Sequence, residues 1–376
     1  MHSADEWLSE PDHDPTMRGN LVSTEAKHNT LGGVRPRKRT PLSEDWVNER
    51  TEQSGGTALT ILEAQTNAVS LSSWIQTNSD LAAARLVQTG AVLFRGFAVN
   101  SVDKFREVVS GFGGEEIEYR ERSSPRTEVT HRIYTSTEYP ADQSIFPHNE
   151  NSYAHVWPRK IFFCCLSPAE EGGATPIVDV RSVYQCIAPE IRRRFEDAGV
   201  LYLRNFSEEI GMSWRKAFQT ERREEVEEIA RSAGYRLKWQ DDNRLTTWRD
   251  GKACGRHPST GQPIWFNHAA FFHVSTLPLS IRQTLAAQLA EDELPNNSYF
   301  GDGSPIEEEV IEHIRSCYLA HQLIFGWRAG DVLALDNMLV AHARQAYHGA
   351  RRVLVAMKDP FQSEMFDSCK EKEDEL

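Results

Sequence analysis

Hydrophobic positions divide this chain into a patternless beginning, a mixed middle and a strand-rich end. Up to about residue 40 neither a two-residue nor a 3.6-residue period is visible, and residues 1–55 are predicted to form a flexible polar leader. Helical spacing then appears at 71–78 and 80–88, with Ser79-Asp80 offering a fresh N-terminal cap. Residues 90–97 form an apolar run bounded by glycines, predicted to be a buried strand. Residues 103–112 fit an amphipathic helix ending at Gly113-Gly114, and 160–167 fit a strand too apolar to be exposed. Between 181 and 320 the pattern is mainly helical, strongest at 188–198, 214–232, 278–290 and 307–319. Short strand-like pieces interrupt it at 235–239, 245–248 and 263–267. The sharpest strand signals follow at 321–327, 331–336 and 352–358.

Strands at both ends with helices between them predict an α+β fold. Its core would be an antiparallel double-stranded β-helix, or jelly roll, with flanking helices. One domain is expected over 56–362, with 181–320 as a mainly helical insertion or lid and 363–376 as a charged tail. There is no internal repeat and no dinucleotide-binding fingerprint.

Composition narrows the function. A net charge of −13 disfavours nucleic acid and anionic membranes as partners. No apolar run approaches the roughly 20 residues of a membrane span. Cys164, Cys165, Cys186, Cys254, Cys317 and Cys369 include no C-x-x-C pair, which fits reduced structural thiols in a cytoplasmic protein. Of the neighbours Cys164 and Cys165, at most one is expected to face a core. The basic patch at 35–39 reads as a solvated turn, and Glu373-Asp374-Glu375-Leu376 as part of the tail.

Candidate chemistry centres on Phe146-Pro147-His148-Asn149-Glu150-Asn151-Ser152-Tyr153. On a strand, His148 and Glu150 would share one face, and a second histidine brought alongside would complete a two-histidine, one-carboxylate site for Fe(II). The spacing alone carries little weight. With 13 histidines and 55 acids, roughly two His-x-Asp/Glu matches are expected by chance. His342 is one candidate third ligand; His257, His268, His273 and His321 are rivals that composition does not exclude. Arg351 and Arg352 open a strand and must point to opposite faces. A buried one would need an anionic partner, and a ligand carboxylate is a natural candidate.

At these residues the chain resembles the taurine-dioxygenase (TauD/TfdA) superfamily of Fe(II)/2-oxoglutarate oxygenases. It is most similar to the clavaminate-synthase-like branch, of the syringomycin aspartyl hydroxylase type. The likeness runs through residues 122–126, 134–140, 146–153, Glu171-Gly172-Gly173-Ala174-Thr175-Pro176, Trp265-Phe266-Asn267, 301–306 and 330–357. The resemblance implies His148, Glu150 and His342 as iron ligands. It implies Arg352 as partner of the distal 2-oxoglutarate carboxylate, with Arg351 as the alternative and Thr175 beside it. A glutamate at the carboxylate position argues against a halogenase. The implied reaction consumes O2 and 2-oxoglutarate, releases succinate and CO2, and hydroxylates an unactivated C–H bond. Desaturation, epoxidation and cyclisation would use the same site.

Asn151 and Arg122 are candidate substrate contacts. Several relatives carry a substrate-binding arginine four residues beyond the oxoglutarate arginine, where this chain has Ala356. That departure suggests a substrate without a free acid there, such as an amino-acid-derived amide, ester or carrier-protein thioester. A homo-oligomer is left open. The competing readings are a non-catalytic jelly-roll protein that binds a small acid, and a zinc hydrolase on the same scaffold.

Overall fold

In the computed structural model the strand Arg352–Gln362 is buried on both faces. Val353, Val355 and Met357 enter one hydrophobic cluster while Leu354 and Ala356 enter another. The two-residue period of a strand makes that division, and it shows that this sheet is covered on both sides. The structure describes residues 46–117, 121–124, 126–137, 139–240 and 242–369. Most of the expected leader, the basic patch at 35–39 and the tail from 370 onward lie outside the described residues.

The larger sheet has eight strands. In hydrogen-bonded order they are Val47–Ser54, Thr57–Ala64, Ala91–Arg95, Val332–Asp336, Val156–Ser167, Arg352–Gln362, Ile133–Thr135 and Glu128–Thr130. Thr57–Ala64 and Ala91–Arg95 run parallel, and the helix Leu71–Thr89 crosses between them. That helix and Val102–Gly111 cover the outer face, where Trp74, Ile75, Phe105 and Val108 meet Phe94, Phe162 and Leu354. Each fully buried side chain of this size contributes about 1.5–3 kcal/mol.

A second sheet of four strands runs Gln322–Leu323, Ile177–Asp179, Val340–Arg344 and Ile145–His148. Its Ile177, Val340 and Ala341 share one core with Leu93, Phe163, Leu333 and Val355 of the larger sheet. Gly90, which ends the helix Leu71–Thr89 at φ 74°, sits where a Cβ would strike the Val340 side chain. A glycine is required there both by the left-handed backbone and by the close approach.

Several expectations change. Residues 47–54, assigned above to the leader, pair along their full length with Thr57–Ala64. The stretch 181–320 holds more helix than strand, but it is not helical throughout. It holds an antiparallel sheet ordered Arg236–Trp239, Leu245–Gly251, Val200–Phe206 and Asn296–Phe300. The helix expected over 214–232 is two helices, Trp214–Phe218 and Arg223–Ser232, separated by Gln219 at φ 56°. Cys164 and Cys165 are both buried, on opposite faces, because the sheet is covered on both. The start of the expected tail is not solvated either: Phe366 is buried against Trp157 and Phe266.

Candidate metal centre

Strand pairing places the two histidines together. His342, on Val340–Arg344, is the register partner of His148, on Ile145–His148, so both rings stand on one face with centroids 4.6 Å apart. Glu150 arrives differently from the expectation. The strand ends at His148, and Glu150 lies in the following turn, so alternation along a strand does not bring it to the histidines. The buried Asn337 does. Its side chain accepts from the Glu150 N–H at 2.8 Å and donates to the Glu150 carbonyl at 2.9 Å and the Pro158 carbonyl at 2.8 Å. Its own carbonyl accepts from Asn149 Nδ2 at 2.6 Å. Asn151, at φ 55°, then turns the chain back toward Val156–Ser167.

One donor atom each from His148, Glu150 and His342 lies within 4.8 Å of the other two, a set that can hold a metal ion. The donor chemistry fits. His148 Nδ1 donates to the Phe146 carbonyl at 2.9 Å, which leaves its Nε2 lone pair available. Burial holds His148 below the ordinary imidazole range. It holds His342 well below, with repulsion from His148 and Arg126 in the same direction. Both shifts favour the neutral ring, the form that ligates metal, and His342 Nε2 lies 3.8 Å from Glu150 Oε2.

The rival histidines are occupied elsewhere or stand outside the set. His257 Nε2 contacts Asp336 at 3.2 Å, His273 Nδ1 contacts Ser275 Oγ at 2.8 Å, and His321 bonds the Gly55 carbonyl. His268 is nearer, with its ring 5.7 Å from that of His148, and its Nδ1 meets Ser152 Oγ at 3.0 Å.

A small cavity opens beside the two histidines, lined by Arg126, Ser136, Phe163, Thr175, Arg344, Arg351 and Val353 among others. Three guanidiniums and no carboxylate line it among the described residues. Arg344 is committed to the carbonyls of Tyr139, Pro140 and Gln143. Among the described residues Arg351 meets only neutral acceptors, the Gly173 carbonyl at 3.2 Å and Ser136 Oγ at 3.4 Å. Burial and nearby Arg344 both act against its charge, an imbalance that an incoming anion relieves. Thr175 Oγ1 accepts from Trp327 Nε1 at 2.9 Å, leaving its own hydroxyl hydrogen for a second acceptor.

Arg352, the first choice from sequence, is exposed, and the alternative Arg351 occupies the cavity. The same alternation turns Ala356 into the outer cluster with the helices, away from the cavity. Ala356 therefore says nothing about the acidity of a substrate, contrary to the expectation above. Asn151 and Arg122 do not line the cavity either. Asn151 Oδ1 accepts from Tyr153 Oη at 3.3 Å, and Arg122 Nη1 donates to the Arg126 carbonyl at 3.2 Å. Asn337 and Arg126 escaped the sequence reading as functional residues. Arg126 lay inside a segment carrying the resemblance; Asn337 had no local signal.

Comparison with known proteins agrees with this geometry. Residues 52–357 match the family model "Taurine catabolism dioxygenase TauD, TfdA family". The dapdiamide synthesis protein DdaC of Enterobacter agglomerans is 42% identical over 275 residues, covering 73% of this chain and 84% of that one. A clavaminate synthase-like protein of Arabidopsis thaliana is 33% identical over 286 residues, covering 72% and 82%. The crystal structure of PvcB from Pseudomonas aeruginosa shares the fold, with a TM-score of 0.51 at 15% identity over 84% of this chain and 92% of that one. The chain belongs to the TauD/TfdA family, in its clavaminate-synthase-like branch, and is a non-haem iron dioxygenase that uses Fe(II), 2-oxoglutarate and O2.

Proposed function

We propose that this enzyme oxidises, by hydroxylation, an unactivated C–H bond of an amino-acid-derived intermediate in specialised metabolism, free or tethered to a carrier protein. The observation that carries the reading is the meeting of His148, Glu150 and His342 at the edge of an arginine-lined cavity. The relative named as a dapdiamide synthesis protein supports the biosynthetic setting. In this reading the two facing sheets are the halves of a double-stranded β-helix, and the insertion closes over the open end. A cytoplasmic setting fits six cysteines that are all free.

When bound, iron and 2-oxoglutarate supply the oxidation: one atom of O2 enters succinate as CO2 leaves, and the other enters the substrate. The chain's own residues hold and shield. His148, Glu150 and His342 would hold the metal, and a two-histidine, one-carboxylate set would leave room for further ligands. Arg351 grips the distal carboxylate of the oxo acid, and the Thr175 hydroxyl donates to the same group. Phe163 and Val353 form apolar walls that keep water from the reacting region.

The test is succinate formation with Fe(II), 2-oxoglutarate and O2 against a panel of amino acids and their carrier-tethered forms. Substrate-dependent succinate together with a product heavier by one oxygen supports hydroxylation. A product lighter by two hydrogens would replace that assignment with desaturation. Binding of 2-oxoglutarate without turnover of any kind would favour the non-catalytic acid-binding reading.

A further inference from the structure

Arg126 and Glu150 are both almost completely buried, and Arg126 Nη2 donates to Glu150 Oε2 at 2.6 Å. The same oxygen lies 3.8 Å from His342 Nε2. The guanidinium thus bonds the carboxylate oxygen that faces the candidate metal site. We infer that Arg126 is a positioning residue, which holds Glu150 in one orientation and draws charge from it before the metal arrives. The inference rests on the assignment of Glu150 as an iron ligand made above.

Two consequences follow from the chemistry. A carboxylate on a glutamate side chain has free rotation about its last bond; a short charge-assisted hydrogen bond removes it and favours one-oxygen ligation. Charge acts as well. Glu150 and Arg126 offset each other, so a ferrous ion in this site would keep its double positive charge. A 2-oxoglutarate dianion would be drawn both by that charge and by Arg351 at its far carboxylate. Without Arg126 the metal would be partly neutralised by glutamate alone and would attract the dianion less.

The surrounding structure holds Arg126 in place. It lies at the end of a loop whose Glu121 carbonyl accepts from Tyr153 Oη at 2.6 Å and from Arg204 Nη1 at 3.3 Å. Arg204 Nη2 also donates to the Arg122 carbonyl at 2.7 Å, and Arg122 N–H donates to the Ala217 carbonyl at 3.1 Å. Arg204 and Ala217 both belong to the insertion, which is therefore linked to Glu150 through Arg126. Arg122, expected from sequence to touch substrate, braces the Arg126 backbone instead.

The experiment titrates Mn(II), a redox-inert stand-in for Fe(II), into the full-length protein by calorimetry, for wild type, Arg126→Gln and Arg126→Lys. Thermal melts of each variant check folding. Arg126→Gln is expected to weaken Mn(II) binding about 10–100-fold, the usual effect of losing a group that orients a ligand. Arg126→Lys should recover part of that loss, because a charge-assisted donor again holds the Glu150 carboxylate, though without the planar fork. The anaerobic charge-transfer absorption with Fe(II) and 2-oxoglutarate should shift in both variants. Equal Mn(II) affinity and an unshifted band in a folded Arg126→Gln protein overturn the inference. So does a variant changed only in KM for the oxidised substrate, which would make Arg126 a substrate anchor. Should Arg126→Gln not fold, Arg126→Lys decides alone, and wild-type affinity with a wild-type band overturns the inference. Failure of the wild type to bind Mn(II) would instead refute the metal assignment itself.

Discussion

Arg351 and Arg352 are adjacent and chemically identical, and only the pleat separates them. Arg351 shares its face with Val353 and reaches the cavity; Arg352 emerges into solvent. Arg351→Gln is accordingly expected to raise KM for 2-oxoglutarate by about 10–100-fold, the worth of a charge-assisted contact of about 1.5–3 kcal/mol. Arg352→Gln should leave it within about twofold, since exposed charges contribute little. Steady-state kinetics with varied 2-oxoglutarate read both. Sequence showed that the two point to opposite faces, so that at most one reaches the interior. It could not show which, because the strand's register is fixed by pairing with Val156–Ser167, where the ladder shifts between Arg352 and Val353. Glu150 teaches the same lesson. Its residue type was legible beside His148, but its position depends on Asn337, distant in sequence and contacting the backbone on both sides of it. Asn337→Ala strands those buried groups and is expected to cost about 2–4 kcal/mol in urea denaturation, with weakened metal binding.

Elements were legible where pattern and capping agree. The two helices expected over 71–78 and 80–88 are one helix, Leu71–Thr89, whose Asn78 leaves helical geometry at φ −121°, ψ 29°. The break seen in sequence is real but too mild to end the helix. The strand Val340–Arg344 gave no signal of its own. It is five residues long and buried throughout, so no alternation marks it, although it carries His342. The strand Val200–Phe206 was hidden in a charged, helix-rich region, and its pairing partners are remote in sequence. A buried ion pair ties two neighbouring segments of the larger sheet. Arg95, at the end of Ala91–Arg95, meets Asp331 at 2.6 Å and also donates to the Gly326 carbonyl at 2.8 Å. Asp331→Ala leaves a buried cation and is expected to lower stability by about 3–5 kcal/mol, measured by chemical denaturation.

At the scale of the whole molecule, the stretch 181–320 meets the turn that follows Glu150 around the buried Glu121, which contacts Tyr153, Arg204 and Tyr235. Burial raises its carboxyl to about 7, overcoming the opposing charges of Arg249 and Arg204. Its side chain bonds Tyr235 Oη. A folded-state value above the unfolded 4.5 means that the native state holds the extra proton between them. Stability is therefore full below the unfolded value, declines as pH rises toward 7 and is level above it. Glu121→Gln should remove that decline, seen as a flatter plot of melting temperature from pH 4.5 to 8.

The central claim is that His148, Glu150 and His342 hold iron together with 2-oxoglutarate. Anaerobic addition of 2-oxoglutarate to the Fe(II)-loaded protein, followed by visible absorption, tests it most directly. The account predicts a charge-transfer band that saturates with one equivalent of each in the wild type, and no band in a folded His342→Ala protein. Absence of the band from the wild type, or its persistence unchanged in His342→Ala, would contradict it.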